Sequence, residues 1–126
     1  MELWAMAEPV QPAQLTATYE VCDDAVLVRF AGEVDLAVAD AFAAHLEEAL
    51  DAVAAASVPV LIVELSAVTF FGSTGLGALV RGEAACTCRG VAIRLSSSSA
   101  VVNRVLRVTG LDQMFPLFPA VEDALR

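Results

Sequence analysis

Apolar and polar residues alternate near the start of the chain, and the alternation predicts two strands. Leu15 to Val21 carries an apolar residue at every second position, and Val26 to Phe30 repeats the pattern. A period of two places alternate side chains on one face of a sheet. The turn between the two segments, Cys22-Asp23-Asp24, is short and mostly polar. We therefore predict an antiparallel hairpin.

Helical spacing follows from about Val38 to Ala55. The apolar positions that recur there at intervals of three and four are Phe42, Leu46, Ala49, Leu50 and Val53. Such a stripe predicts a helix with one apolar face, and its acidic residues fall mostly outside the stripe. Ser57-Val58-Pro59 ends this helix. The run Val60 to Val63 is continuously apolar, which is typical of a central parallel strand that is covered on both faces.

Helices and strands continue to alternate in the second half. We predict a helix over about 74–89, a strand over 91–95, a helix ending at Gly110, a short strand over 114–118 and a last helical turn over 121–125. The predicted apolar faces of the two longer helices are Leu76, Leu79, Val80 and Ala84, then Val101, Val102, Val105 and Leu106. The order ββαβαβαβα predicts an α/β fold in a single domain. Its mixed sheet has about five mostly parallel strands and an antiparallel N-terminal edge, with about four helices.

The length of 126 residues fits one domain. Met1 to Pro12 is predicted to be a flexible tail because Pro9 and Pro12 oppose regular pairing, which assigns residues 13–126 to the domain. No apolar run reaches the roughly 20 residues of a membrane span, and no signal peptide is evident. We therefore expect a cytoplasmic protein, as a monomer or weak dimer.

The formal net charge of −9 changes the range of expected partners. Nucleic acid and anionic membranes both require basic patches, so neither is expected, whereas a basic protein partner is compatible with this charge. The three cysteines are odd in number and give no disulfide framework. With a single histidine, His45, a zinc site is not expected, and we predict no cofactor.

Two loops are expected at the carboxyl ends of strands, where open α/β sheets collect their ligands. They are Gly32 to Asp35 and Gly72 to Gly75. The second loop places Ser73 at a helix N-terminus, where unpaired backbone N–H groups favour an anion. A phosphate on Ser73 carries about −1.5 to −2 charges, and this position can accept it without unfolding the domain.

Three motifs identify a resemblance to a known family. They are Gly32-Glu33-Val34-Asp35, the segment from Val68 to Leu76, and the segment from Val108 to Phe115. In order and spacing they resemble the anti-sigma-factor antagonists of bacterial STAS domains, from about Leu15 to Leu125. The resemblance implies a protein-binding switch in transcription regulation and not an enzyme.

What the resemblance implies is partner switching. In the family the antagonist binds an anti-sigma factor that is also a serine kinase, and this releases the sigma factor. The kinase then phosphorylates a serine before the second helix, and a serine phosphatase resets it. That serine matches Ser73, with Thr74 the less favoured acceptor. The residues that we predict to bind the partner are Glu33, Asp35, Gly72, Ser73, Thr74, Gly75 and Leu76.

One position departs from the family pattern. The residue before the acceptor is usually Asp, and here it is Gly72. The departure keeps a second hypothesis open, a STAS scaffold or complex subunit that is not phosphorylated. The glycine-rich turn motivates a third, a nucleotide or small-ligand sensor. A serine hydrolase is disfavoured, because Phe71 stands where the nucleophile elbow needs Gly and the lone His45 offers no triad.

Several of these residues also have plainer interpretations. Ser73 can serve only as an N-cap, and Glu33 and Asp35 can form a solvated turn. Ser96 to Ser99 is interpreted as a capping loop or as a second phosphorylation site. Arg104 and Arg107 are interpreted as a solvated face or as partner contacts, and His45 as a surface or boundary residue.

Overall fold

A computed structural model describes residues 15–126 as five strands and four helices. Two short 3-10 turns, Leu36–Val38 and Leu111–Gln113, complete the described elements. The predicted tail from Met1 to Pro12 lies outside the described residues. The strands are β1 Thr16–Val21, β2 Ala25–Val34, β3 Val60–Phe71, β4 Ala92–Ser96 and β5 Leu117–Phe118; the helices are α1 Ala39–Ala56, α2 Ser73–Cys88, α3 Ala100–Thr109 and α4 Val121–Ala124.

The strands form one sheet in the order β1-β2-β3-β4-β5. β1 and β2 pair antiparallel as the predicted hairpin, and every later pair is parallel. The prediction of a mixed sheet with an antiparallel N-terminal edge is confirmed. None of the helices within residues 15–126 is long and apolar enough to cross a membrane.

The sheet is covered on both faces, which explains the continuous apolar run in β3. Leu61 and Val63 belong to the main core that α1, α2 and α3 cover, whereas Val60 and Ile62 belong to a smaller cluster that includes Ala124 of α4. Alternate residues of a strand point to opposite faces. The predicted apolar stripe of α1 is confirmed, because all five of its residues are buried.

Two strands are longer than predicted. β3 continues from Val63 to Phe71, and β2 continues to Val34, so Gly32, Glu33 and Val34 lie in a strand and only Asp35 follows it. The prediction of a loop from Gly32 to Asp35 was therefore wrong for its first three residues. Breaks in the β2–β3 register accompany this stretch and obscure its alternation.

The predicted apolar faces of α2 and α3 were wrong at two positions. Ala84 of α2 and Val101 of α3, both predicted to point inward, are exposed. The buried residues of α2 are Gly75, Ala78, Leu79 and Cys86, which are mostly small and therefore give a weak apolar signal. The strand predicted over 114–118 is confined to Leu117–Phe118, because a 3-10 turn occupies the residues before Met114.

Candidate functional site

The carboxyl ends of β2 and β3 lie side by side. Glu33 pairs with Phe70 and Val34 with Phe71 in the parallel register. The backbone N–H of Gly72 then donates to the Val34 carbonyl over 2.9 Å. The structure therefore brings together the two segments that the sequence analysis singled out, since Asp35 and Ser73 each follow one of these joined positions.

α2 begins directly at this edge. Gly72 is its N-cap, with φ −89° and ψ 177°, and Ser73 is the first helical residue. The interpretation of Ser73 as an N-cap was therefore wrong. Within residues 15–126 the Ser73 hydroxyl has no hydrogen-bond partner, and the residue is exposed. An exposed hydroxyl that is not needed to cap the helix is sterically open to an approaching protein.

Close packing holds the start of α2 against the sheet. A Cβ on Gly75 would lie 2.6 Å from Val34 Cγ1 and 2.9 Å from the Phe71 ring. Real side chains do not approach so closely, so the contact needs glycine. Thr74 is half-buried, and Leu76 is half-buried against the main core. Of the predicted contact residues on α2, Ser73 is therefore the exposed one.

The carboxylates of the first motif occupy different environments. Asp35 Oδ1 accepts a hydrogen bond from the Val38 backbone N–H over 3.3 Å and so caps the 3-10 turn. Glu33 is half-buried at the end of β2. Asp35 thus stabilises the local backbone, and the carboxylate charges lie on the segment that borders Gly72.

Two large apolar side chains at this edge were missed by sequence reasoning. Leu36, after Asp35, is 79% exposed, and Phe70, before Phe71, is 48% exposed. Exposed apolar residues beside a polar loop are typical of protein-binding surfaces. Phe70 carried a signal in the sequence, because its neighbour Phe71 takes the inward position and strand alternation then turns Phe70 outward.

The serine loop after β4 serves the fold. Ser99 caps α3 by accepting from the Val102 backbone N–H, and Ser96 donates to Glu64 over 2.8 Å. Ser96 and Ser97 are buried, at 0% and 1% exposure, so neither is open to a kinase in the folded domain. Ser98 is exposed and stays a predicted second site.

The cysteines and the histidine lie outside the edge formed by the ends of β2 and β3. Cys22, Cys86 and Cys88 are free thiols, and burial raises the pKa of Cys86 to about 11. His45 is a boundary residue as predicted, with Nδ1 2.7 Å from the Tyr19 hydroxyl. Across residues 15–126 no group of three His, Cys, Asp or Glu side chains is arranged to hold a metal.

Comparison with known proteins identifies the family. The model of the STAS domain matches residues 16–124, nearly all of the described chain. The chain belongs to the STAS domain family. Among the curated relatives of this STAS domain is the anti-sigma-F factor antagonist RsfB of Mycobacterium tuberculosis, which is 33% identical over 114 residues. That alignment covers 90% of this chain and 89% of RsfB.

Solved structures show the same fold. An anti-sigma factor antagonist from Mycobacterium paratuberculosis superposes with a TM-score of 0.73 at 32% identity, covering 89% of this chain and 92% of the other. The anti-sigma factor antagonist SpoIIAA in its unphosphorylated form gives a TM-score of 0.67 at 20% identity, covering 88% and 93%. At that identity SpoIIAA supports the fold alone.

Proposed function

We propose that this STAS domain is an anti-sigma-factor antagonist. It binds an anti-sigma factor that is also a serine kinase, and phosphorylation of Ser73 ends the binding. One observation carries the proposal. The exposed hydroxyl of Ser73 opens α2 at the joined ends of β2 and β3, in a chain whose relative RsfB bears that function in its name.

The surface around Ser73 suits a protein partner in its unmodified state. Leu36 and Phe70 offer exposed apolar area beside the loop, and Glu33 and Asp35 add carboxylates. A partner that fits this surface has an apolar patch bordered by cationic side chains. The net charge of −9 on the full chain favours the encounter with such a partner.

The proposed modification transfers a phosphoryl group from ATP held by the kinase. A bond forms between phosphorus and the Ser73 Oγ, the bond to the leaving ADP breaks, and the hydroxyl proton passes to a base of the kinase. The product adds about −1.5 to −2 charges beside Asp35. In the complex the phosphate group would lose its hydration and fill space at the apolar part of the binding edge. This desolvation and steric cost makes the partner dissociate. A serine phosphatase restores the hydroxyl.

The test measures binding to the anti-sigma kinase of the same cell with purified full-length proteins. Ser73→Ala should bind and resist release by ATP, and Ser73→Glu should bind at least about tenfold more weakly. Gln113→Glu is the matched control, because it adds one negative charge at an exposed position far from Ser73. Gln113 follows α3, and α3 runs from the carboxyl ends of the strands, where Ser73 lies, back towards their amino ends. Equal binding of all variants, with no phosphate on the peptide from Gly72 to Arg81 in growing or stressed cells, would refute the proposal.

Gly72 favours a second candidate function. A glycine N-cap leaves the acceptor without the neighbouring carboxylate that the family usually carries. A STAS module that binds a partner constantly, as a scaffold or complex subunit, fits this departure. Partner binding that is indifferent to Ser73→Glu, together with an unmodified Ser73 in cells, would support this second candidate.

A further inference from the structure

Arg81 lies two turns after Ser73 on α2, and its side chain extends back towards the start of the helix. The Arg81 Nη1 atom is 3.4 Å from the position that a Cβ on Gly77 would take. Ser73, Gly77 and Arg81 follow one another at four-residue spacing, so each is a surface neighbour of the next. Because Gly77 has no side chain, residue 77 places no atom beyond its backbone between the guanidinium and Ser73.

The charge of Arg81 is not already used by a carboxylate in the described chain. The ion pairs that arginines make within residues 15–126 engage Arg29, Arg89 and Arg126, and Arg94 donates to the Ala124 carbonyl over 2.6 Å. Arg81 takes part in none of them and is exposed. Its guanidinium therefore stands over Gly77 with its donors available.

We propose, on the basis of the function proposed above, that Arg81 is the internal counter-charge for a phosphate on Ser73. The guanidinium closes over Gly77 and donates to the phosphate oxygens. Its planar fork of N–H groups matches two phosphate oxygens at once. Positions four residues apart on a helix surface are about 5–6 Å apart. Because helical side chains lean towards the N-terminus, the long Arg81 side chain supplies the reach across Gly77 towards Ser73.

This contact gives the phosphorylated state a defined surface. A bare phosphate attracts cations, so it is able to strengthen contacts with a partner that carries them. A phosphate held by Arg81 is partly neutralised and fixed on the domain itself, while its bulk still fills the binding edge. Arg81 therefore favours release over the formation of a new salt bridge with the partner.

The test uses the full chain with phosphoserine installed at position 73 during synthesis. Phosphorus-31 NMR titration gives the second pKa of the phosphate, which is about 6 for an isolated phosphoserine. A cation in contact favours the dianion and lowers this pKa. We expect the midpoint in Arg81→Gln to be about 0.3–0.7 pH unit higher than in the parent.

Two further variants separate contact from general charge. Arg89→Gln removes the same charge at the far end of α2, about 24 Å along the helix from Ser73 and beyond the screening length. It should leave the midpoint unchanged. Gly77→Leu keeps every charge but fills the gap, and its midpoint should match that of Arg81→Gln.

Indistinguishable midpoints in the parent and Arg81→Gln would overturn the inference. An equal effect of Arg89→Gln would do the same, because it would show only a loss of net charge. The titration needs neither the kinase nor the anti-sigma factor. Its failure therefore leaves the proposed antagonist function standing, and failure of the binding test leaves the titration result interpretable.

Discussion

Gly75 controls how closely α2 approaches the ends of β2 and β3, and Gly75→Ala tests that packing. The added methyl would meet Val34 Cγ1 at 2.6 Å and the Phe71 ring at 2.9 Å. Both neighbours are buried, at 0% and 3% exposure, so neither is free to swing away. Either the helix or these core side chains must move.

Overpacking of this kind typically costs about 1–3 kcal/mol. Replacing a helical glycine by alanine otherwise stabilises a protein by roughly 0.5–1 kcal/mol, so the full steric cost is larger than the net loss. We expect Gly75→Ala to lower the free energy of unfolding by about 1–2 kcal/mol. For a domain of this size that corresponds to a fall in Tm of roughly 3–10 °C.

Gly77→Ala is the matched control on the same helix. Its methyl would meet only the end of the flexible Arg81 side chain, at 3.4 Å. The control should therefore gain about 0.5–1 kcal/mol. Urea unfolding followed by circular dichroism measures both variants with the parent. A Gly75→Ala protein as stable as Gly77→Ala would refute the conclusion that close packing of α2 requires glycine at position 75.

Three other changes test separate parts of the structure. Gly72→Asp should stabilise the domain by about 1 kcal/mol in urea unfolding, because Asp caps the helix and restricts the unfolded chain. The exposed Phe70 ring, 3.2 Å from the new Cβ, is free to move aside, and an unchanged or lower stability would contradict the prediction. The free energy of unfolding of the parent should fall by up to about 2 kcal/mol as the pH rises from 9 to 11, because the unfolded chain ionises its Cys86 thiol before the folded domain does. The same dependence of stability on pH in a Cys86→Ala variant would exclude this cause. Leu36→Ser should weaken partner binding at least about tenfold while the free energy of unfolding stays unchanged. Calorimetric titration measures the affinity, and an affinity equal to that of the parent would remove Leu36 from the proposed interface.

The sequence predicted best where one periodicity dominates. α1 was placed to within a residue at each end, because its five core positions recur at helical spacing over about three turns. β3 was cut short after Val63 because the next residues mix polar and apolar side chains. Glu64 there accepts from the Ser66 N–H within β3 and from the Ser96 hydroxyl of β4, while Leu65, Val68 and Phe71 stay buried in the core.

The candidate site was predictable in position but not in shape. Two loops that follow neighbouring parallel strands must meet at one edge, and this placed Asp35 and Ser73 together without coordinates. The exposure of Leu36 depends on how separate elements pack, and the extension of Arg81 back over Gly77 depends on its side-chain rotamer. No local pattern carries that information.

The geometry of the edge limits how the proposed switch works. Gly72 already caps α2, Asp35 already caps the 3-10 turn, and the Gly72 N–H already bonds the Val34 carbonyl. The Ser73 hydroxyl is exposed and contributes to none of these contacts. A phosphate added there has no native hydrogen bond to break, so phosphorylation at this position changes the charge and the shape of the surface and leaves the fold intact. A switch of this kind should therefore alter partner affinity strongly while the unfolding free energies of the two forms stay close.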